Sequence, residues 1–558
     1  MRQLFFGLGA LTLAACGSGE IPADSTPDPQ TSPAQELTIF TGGTIYTGVG
    51  LDTVEAVAVG ADGRIVSVSP PSSQDWAEDE VTLIDLGGAV MFPGFTDGHA
   101  HLMGIGEREL TLDLSGTVSL DELTTRIEAE AWGMPAGRVL FGRGWIETGW
   151  DVGRMPTAAD LDAHAPDNPV ILVRADGHAL VANTAALEAA DITADTPDVP
   201  GGKIERDANG KATGIIIDNN MGQILALVSE PTEGQIIERY VVGAAEYASR
   251  GWTGIHNMSV PAKDARLLER LDLEGRMPLR LHNAYDREGF GIAANRQHES
   301  DTITNRAVKV YMDGALGSRG ALLIEPYSDR PSSSGLSLME PDELEVLMNE
   351  ADVADVQLAI HAIGDLANRR ILDEFEGGGF GVEKRWRIEH TQVLHPDDIA
   401  RVGELGLIAS MQPSHAIGDL KFAPAHLGID RLAGAYAWQS LLENDATIVG
   451  GSDAPVEVGT PQIEFYAAVA RKDLEGFSGE GWNPDEALSR EQALALFTSA
   501  PAYAAFMEED LGTIEVGKLA DFSVFDRDLM TIPEAEILEA QTLMTIVHGE
   551  VVYQRNPE

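Results

Sequence analysis

Six residues of the kinds that bind metal ions in proteins are spread along this chain, each on or just after a short apolar run. They are His99, His101, Lys309, His361, His390 and Asp453. Apart from the first two, they are far apart in sequence, so only a fold that brings many strand ends together can gather them. The (β/α)8 barrel does so, because its reactive groups lie at the carboxyl ends of eight parallel strands. We therefore expect a metal-dependent hydrolase site at one end of such a barrel.

Eight apolar segments are suited to be the strands of this barrel. They span residues 89–95, 253–256, 279–283, 308–312, 356–361, 387–390, 407–411 and 447–451. Most are separated by segments of helical length, and strands that alternate with helices indicate a parallel sheet. The sequence therefore predicts an α/β fold with a TIM-like barrel domain over residues 89–509.

Two further units are predicted around the barrel. Residues 108–250 lie between the first two predicted strands. Because this insertion leaves from the carboxyl end of a strand, we expect a subdomain that covers the site or recognises substrate. Short alternating runs in residues 37–88 and 510–558 predict strands. We expect these two ends of the chain to pair into one composite β-sandwich.

The first residues of the chain predict its cellular location. Arg2 precedes a mostly apolar run, residues 4–13, which has the length of a secretory signal core and is too short to span a bilayer. The run leads into Leu-Ala-Ala-Cys at residues 13–16, which resembles a bacterial lipobox. We expect a signal peptide and lipobox over residues 1–16 and a flexible tether over residues 17–36.

Cys16 is the only cysteine of the chain, so no internal disulfide forms. Its lipidation would anchor an exported lipoprotein in the membrane of the cell envelope. Gly17, in place of an aspartate, favours the outer membrane, with the protein facing the periplasm. The alternative is a plain signal peptide followed by an incidental cysteine.

The charge of the chain restricts its partners. The formal net charge is −51 at pH 7, which argues against binding to nucleic acid or to an anionic membrane surface. Adaptation to a saline habitat and an ordinary acidic surface that aids solubility both remain open. We expect a small-molecule substrate as the partner, and a homodimer remains open.

The paired histidines and the lysine have distinct interpretations. His99 and His101 follow an apolar run and a Pro-Gly pair. Residues two apart in extended chain point the same way, so both imidazoles can face one ion. Lys309 interrupts an apolar strand, where its amine must pair, extend to solvent or lose its charge. A neutral lysine can also react with carbon dioxide, and the carbamate can bridge two metal ions.

The other three residues are ambiguous when taken singly. His361 and His390 end apolar runs, and either could be a strand-end histidine with an ordinary hydrogen-bond partner. Asp453 follows Gly450, Gly451 and Ser452, where an aspartate often serves a turn. The combination of six such residues on the predicted strands is what indicates a metal site.

The chain also resembles a known family through several motifs. They lie at residues 92–101, 174–179, 309–319, 360–365, 387–390, 410–415, 451–457 and 512–521. In these motifs the chain resembles the amidohydrolase superfamily, and within it the family-3, YtcJ-like metal-dependent amidohydrolases, which include N-substituted formamide deformylases. The resemblance extends from about Leu37 to Tyr553 and is specific for the family rather than for one substrate.

The resemblance implies a ligand set and a reaction. The implied ligands are His99, His101 and Asp453 for the more buried ion, His361 and His390 for a second ion, and carboxylated Lys309 for both. Zinc suits such ligands, with iron, manganese and cobalt as alternatives. The implied reaction is hydrolysis of a non-peptide C–N bond, of the amide or formamide type, by a metal-activated hydroxide. Asp453 would pass the proton to the leaving nitrogen.

Four other residues are candidates for the site. They are His178 in the inserted region, Arg319 in the loop after Lys309, and Gln412 and His415 past the seventh strand. His178 could reach the site from the inserted subdomain, and Arg319 could pair with a substrate carboxylate. We predict catalytic roles for Asp453, His178, His415 and Arg319. The alternative for each loop residue is a hydrogen bond that only stabilises its loop.

Two other functions remain compatible with the sequence. The same barrel can hydrolyse esters, lactones or phosphoesters, because fold alone does not determine function. A surface lipoprotein that binds a ligand without catalysis is the third hypothesis, and the intact set of six ligand-type residues counts against it.

Overall fold

The computed structural model describes residues 37–556 apart from residues 49, 69–80, 148, 176, 178, 200–201, 229 and 480–481. The predicted signal peptide, the lipobox with Cys16 and the tether lie outside the described residues, and so does His178. These features stay predictions. In the described part of the chain, no helix has both the length and the apolar character needed to span a membrane.

The strands of the described residues fall into three sheets. In chain order they are β1 (Leu37–Tyr46), β2 (Thr53–Gly60), β3 (Ile65–Ser67), β4 (Val81–Asp85), β5 (Val90–Pro93), β6 (Phe95–Ala100), β7 (Leu112–Asp113), β8 (Leu140–Trp145), β9 (Val170–Arg174), β10 (Ala179–Ala182), β11 (Gly202–Arg206), β12 (Ala212–Asp218), β13 (Trp252–Val260), β14 (Arg280–Tyr285), β15 (Ile303–Tyr311), β16 (Gln357–Ala362), β17 (Arg387–His390), β18 (Ile408–Met411), β19 (Thr447–Gly450), β20 (Phe522–Phe525), β21 (Thr542–Val547) and β22 (Glu550–Gln554).

The α-helices of the described residues connect and cover these strands. In chain order they are α1 (Leu102–Leu110), α2 (Leu120–Ala131), α3 (Ala158–Asp162), α4 (Thr184–Ala189), α5 (Met221–Leu225), α6 (Glu233–Arg250), α7 (Ala265–Leu273), α8 (Phe290–Ala294), α9 (Pro341–Ala354), α10 (Asp365–Gly378), α11 (Ile399–Glu404), α12 (Pro413–Asp419), α13 (Ala423–Leu427), α14 (Trp438–Glu443), α15 (Pro461–Ala470), α16 (Arg490–Phe497), α17 (Ser499–Ala504) and α18 (Glu534–Ile537).

Eight parallel strands form the predicted barrel. Their order around it is β6, β13, β14, β15, β16, β17, β18 and β19. The first and last strands approach at their carboxyl ends. There the Asp453 amide donates to the His99 carbonyl over 2.6 Å, and the His101 amide donates to the Ala454 carbonyl over 2.8 Å. These bonds nearly close the barrel at the end where the predicted metal ligands lie.

The first barrel strand differs from the prediction. Residues 89–95 were expected to form it, but β5 pairs with β1 and β20 outside the barrel, and β6 is the strand that pairs with β13. The chain changes sheets at Gly94, where a Cβ would lie 2.3 Å from Thr253 Oγ1. A continuous apolar run does not reveal such a change, because both strands are buried. His99 consequently lies within a strand and not after it. The other seven predicted strands each overlap an observed one.

The two ends of the chain form one composite sheet, where a composite β-sandwich was expected. Its order is β22, β21, β20, β5, β1, β2 and β3, with β4 also paired to β1. Phe40 and Phe522 meet edge to face in its core, with ring centroids 5.3 Å apart. A buried ion pair ties the sheet to the barrel, because Arg280 Nη2 of β14 donates to Asp521 Oδ1 over 2.8 Å.

The insertion after β6 contains a sheet of its own. The order is β11, β12, β10, β9, β8 and β7, and α6 then leads back to the barrel at β13. Trp145 and Trp150 lie in the core of this unit, and their indole N–H groups donate to the carbonyls of Leu172 and Thr117. The unit therefore has its own hydrophobic core beside the barrel.

Candidate metal centre

The six predicted ligands lie at the carboxyl end of the barrel. The side chains that contact one another there are His99 of β6, His101 after it, Lys309 of β15, His361 of β16, His390 of β17 and Asp453 after β19. One ligand atom from each of His99, His390 and Asp453 lies within 4.8 Å of the others. These three residues were not predicted to share one ion. His99 and Asp453 were assigned to the more buried ion and His390 to the second.

Three histidines each direct one ring nitrogen at an acceptor outside the centre. The pairs are His99 Nδ1 with Glu389 Oε2 at 2.6 Å, His101 Nδ1 with the Met258 carbonyl at 3.0 Å, and His390 Nδ1 with Gln412 Oε1 at 2.8 Å. Because all three partners accept hydrogen bonds, Nδ1 carries the proton in each neutral ring. Nε2 of each ring therefore has a lone pair available for a metal ion.

The lone pairs of two histidines face a carboxylate. Asp453 Oδ1 lies 3.0 Å from His101 Nε2 and 3.4 Å from His99 Nε2. Acceptor atoms at these distances repel one another unless a proton or a metal ion lies between them. Neutral imidazoles and an ionised carboxylate are the donor set that divalent metals such as zinc prefer. The described residues thus fit a metal ion at this position.

His361 lies beside this group. Its ring centroid is 4.5 Å from that of His390, and its Nε2 is 3.5 Å from Asp313 Oδ1. Burial, with the nearby Lys309 as a second cause, lowers the pKa of His361 to about 3, so the ring is neutral near pH 7. Asp313 is itself held by backbone amides, including that of Gly364 over 2.8 Å.

Lys309 is buried against the histidines. Lys309 is only 3% exposed. Its Nζ lies 3.4 Å from His99 Nε2 and 5.2 Å from the centroid of the Tyr311 ring. Burial lowers the pKa of Lys309 to about 8. A larger fraction of the amine is therefore neutral near pH 7 than in an exposed lysine.

Asp453 has a left-handed backbone conformation, and its two carboxylate oxygens face different histidines. Its φ is +59°, a conformation that non-glycine residues adopt at a cost and that is often found at functional sites. Oδ1 faces His99 and His101, while Oδ2 lies 3.7 Å from His415 Nε2. Burial raises the pKa of Asp453, but the adjacent His101 and His99 outweigh it and hold the pKa well below the ordinary value.

Two charged residues of β17 support the centre and were not predicted. Arg387 Nε donates to Glu389 Oε1 over 2.7 Å, and both side chains are fully buried. Burial raises the pKa of Glu389, but Arg387 and His99 outweigh it and hold the pKa well below the ordinary value. The sequence signal for these residues was the spacing of two between Arg387 and Glu389, because side chains two residues apart in a strand lie on the same face.

Asp97 is a further residue that was not predicted to support the site. Its carboxylate accepts hydrogen bonds from the backbone amide and the hydroxyl of Ser452, at 2.9 and 2.6 Å, and from the Tyr247 hydroxyl at 3.1 Å. It thereby ties the strand that carries His99 to the loop that carries Asp453. Its spacing of two from His99 was again the available signal.

The remaining predicted residues have different surroundings. His415 stacks on His390 with ring centroids 5.9 Å apart, and its Nε2 is buried without a hydrogen-bond partner in the described part of the chain. Gln412 accepts from His390, as given above. Arg319 pairs with Asp329 over 2.6 Å on a partly exposed loop, which corresponds to its loop-stabilising alternative. His178 lies outside the described residues.

Comparison with known proteins identifies relatives along nearly the whole chain. Residues 82–553 match the amidohydrolase family. The chain is 34% identical over 534 residues to the Bacillus subtilis protein named "Putative amidohydrolase YtcJ", covering 93% of this chain and 99% of the relative. It is 28% identical over 521 residues to the N-substituted formamide deformylase of Arthrobacter pascens, covering 90% of this chain and 95% of that one.

A solved structure has the same fold. The crystal structure of an uncharacterized metal-dependent hydrolase from Pyrococcus horikoshii superimposes with a TM-score of 0.74 at 29% sequence identity. The match covers 89% of this chain and 99% of that chain. The barrel, the cluster of metal-binding side chains and the match over residues 82–553 agree. This chain is a member of the amidohydrolase family of metal-dependent hydrolases.

Proposed function

We propose that this protein hydrolyses a non-peptide C–N bond, of the amide or formamide type, at the centre formed by His99, His390 and Asp453. The observation that carries the proposal is the convergence of two imidazoles and a carboxylate within 4.8 Å at the carboxyl end of the barrel. Similarity to an N-substituted formamide deformylase over 90% of this chain supports the type of bond.

The expected ion is zinc. His99, His101, His361, His390 and Asp453 are the side chains that would hold one or two such ions. A divalent ion held there would lower the pKa of a water molecule and polarise the substrate carbonyl. The barrel and its long loops would position the scissile bond, as in other enzymes of this architecture.

Asp453 and His415 would handle the proton and the carbonyl oxygen. Asp453 Oδ2 is turned away from the histidine lone pairs, so it can take a proton from the attacking water and return it to the leaving nitrogen. Gln392 Nε2 donates to His415 Nδ1 over 3.0 Å. His415 Nε2 then carries the ring proton and can donate to the oxygen on which negative charge develops.

Metal content and amide hydrolysis together test the proposal. The purified full-length chain should contain roughly one or two zinc ions, and hydrolysis of formamides should be lost on chelation and restored by zinc. Replacing His390 with alanine removes a ligand from the trio and should lower the bound metal. The matched control is His164→Ala, since His164 lies in the inserted unit and pairs with Glu128 at 3.2 Å.

Two results would contradict this proposal in different parts. Equal metal content in the His390 and His164 variants would contradict the ligand set. A metal-loaded protein that cleaves esters but no amide or formamide would contradict the type of bond.

We also propose that Lys309 carries a carbamate. The neutral amine forms a bond to the carbon of carbon dioxide and releases a proton, so the side chain becomes an anion. Lys309→Ala should lower the metal content of protein grown with bicarbonate, and added acetate should restore part of it by supplying a carboxylate. Metal content and activity that are unchanged in Lys309→Ala would refute the carbamate.

A further inference from the structure

A cavity lies beside the candidate metal centre, at the carboxyl ends of β13, β14 and β15. Its volume is about 750 Å³, within the range of sites that bind small molecules. Lys309 is one of its lining residues and is 3% exposed, whereas Val346 of α9 lines it and is 55% exposed. The cavity therefore leads from the buried lysine of the metal centre to the protein surface at α9.

The wall of the cavity is mostly apolar. Val310, Leu338, Met339 and Val346 line it together with Tyr311. Leu338 is 57% exposed, so two aliphatic side chains of the wall, Leu338 and Val346, face solvent. A substrate group that covered them would gain the free energy of apolar burial.

Tyr311 stands between this cavity and the metal ligands. Its ring centroid lies 5.4 Å from the ring centroid of His361. Its hydroxyl forms a hydrogen bond with Ser259 Oγ at 2.5 Å. Ser259 has a φ of +55°, which is costly for a non-glycine residue. The position of the Tyr311 ring is thus held from the end of the neighbouring strand β13.

The charged residues of the cavity disfavour an anion. Three carboxylates line the cavity, those of Asp286, Asp342 and Glu343. Arg287 also lines it, but its guanidinium forms an ion pair at 3.0 Å with Glu350, which is not a lining residue. The carboxylate of Asp286 also accepts hydrogen bonds from two backbone amides. A substrate group that ends in a carboxylate would therefore meet like charge.

We propose that this cavity is the subsite for an uncharged apolar substituent of the substrate, and that Tyr311 and Val346 determine specificity there. The substituent would lie on Leu338, Met339 and Val346, with Tyr311 at the boundary to the reacting bond. This inference rests on the proposed function, because it names the substrate class of the same site.

A bulky residue at position 346 tests the subsite without touching the centre. Val346→Trp should occupy part of the cavity, while Val353→Trp adds the same side chain two turns along α9, where Val353 is 88% exposed and does not line the cavity. The measurement is kcat/KM of the zinc-loaded full-length protein for N-methylformamide, N-hexylformamide and N-methylhexanamide. N-hexylformamide places a hexyl chain on the nitrogen, and N-methylhexanamide places a pentyl chain on the acyl carbon.

We expect Val346→Trp to lower kcat/KM for at least one of these two long-chain probes by about tenfold or more relative to N-methylformamide. Val353→Trp should leave all three values close to those of the unchanged protein. N-(carboxypentyl)formamide should be a poorer substrate than N-hexylformamide. Equal effects of Val346→Trp on small and large probes, or no effect on any, would overturn the subsite.

Failure of the proposed function is recognised separately. If the unchanged protein hydrolyses none of the three amides, binding of N-hexylformamide and N-methylhexanamide is measured by titration calorimetry. Binding of either probe that Val346→Trp weakens and Val353→Trp does not would support the subsite while the C–N hydrolysis is rejected. Absence of binding by the unchanged protein would overturn the subsite as well.

Discussion

Replacing Asp453 with asparagine should lower kcat by about a hundredfold to ten-thousandfold, the range for loss of a positioned acid–base group. Asparagine has the same size and keeps an oxygen that can face His99 and His101, as Asp453 Oδ1 does at 3.4 and 3.0 Å. It lacks an ionised oxygen in the place of Oδ2, so it cannot take a proton from water. The measurement is steady-state hydrolysis of a formamide together with metal content per chain.

Metal content decides how a loss of activity is explained. If Asp453→Asn retains its metal and loses activity, Asp453 acts on the proton. If metal and activity fall together, Asp453 acts chiefly as a ligand. Asp373→Asn is the matched control, because Asp373 of α10 is a 58% exposed partner of Arg401. Activity of Asp453→Asn within about tenfold of the unchanged protein, at equal metal content, would contradict the role in proton transfer.

Replacing Arg387 with methionine should destabilise the protein by about 3–5 kcal/mol, because it removes one partner of a buried ion pair. Arg387 is fully buried, and besides Glu389 it donates to the Gly98 carbonyl and Ser410 Oγ, both at 2.7 Å. Methionine can occupy part of the volume but leaves the Glu389 charge and both oxygens without this donor. The free energy of unfolding is measured by urea denaturation.

An exposed ion pair provides the control for this effect. Arg270 pairs with Glu233 at 2.7 Å, with side chains 43% and 63% exposed. Arg270→Met should cost less than about 1 kcal/mol, because water already solvates both charges. If the two methionine variants were equally stable, the Arg387–Glu389 pair would not be a structural support of the metal centre.

The centre depends on polar contacts that the sequence only partly indicates. The spacing of His99 and His101, and the position of His361 and His390 at strand ends, were sufficient to predict that these rings share one end of the barrel. The roles of Glu389 and Gln412 as acceptors for His99 and His390 were not predicted. Such roles depend on the register between neighbouring strands, which decides which of their side chains lie level with each other. The spacing of residues within one strand does not contain that information.

The boundary at Gly94 shows the same limitation. The apolar run of residues 89–95 predicted one strand, whereas β5 belongs to the composite sheet and β6 to the barrel. The barrel strand β6 contains Thr96, Asp97 and His99, so the apolar pattern ends where that strand begins. Only the close approach of Gly94 to Thr253 shows where the chain leaves one sheet for the other.

The sequence by itself determined the barrel, the composite sheet, the insertion and the family, because each depends on patterns within short segments. Alternating strand and helix lengths predict parallel pairing, and residues placed at strand ends predict where a site lies. The tertiary structure alone decided how the side chains from different strands meet. The partner of each imidazole, the ion pair under His99 and the cavity beside Tyr311 all depend on register and packing between distant segments. Contacts of that kind are made by residues hundreds of positions apart, such as His99 and Glu389, and no local pattern specifies them.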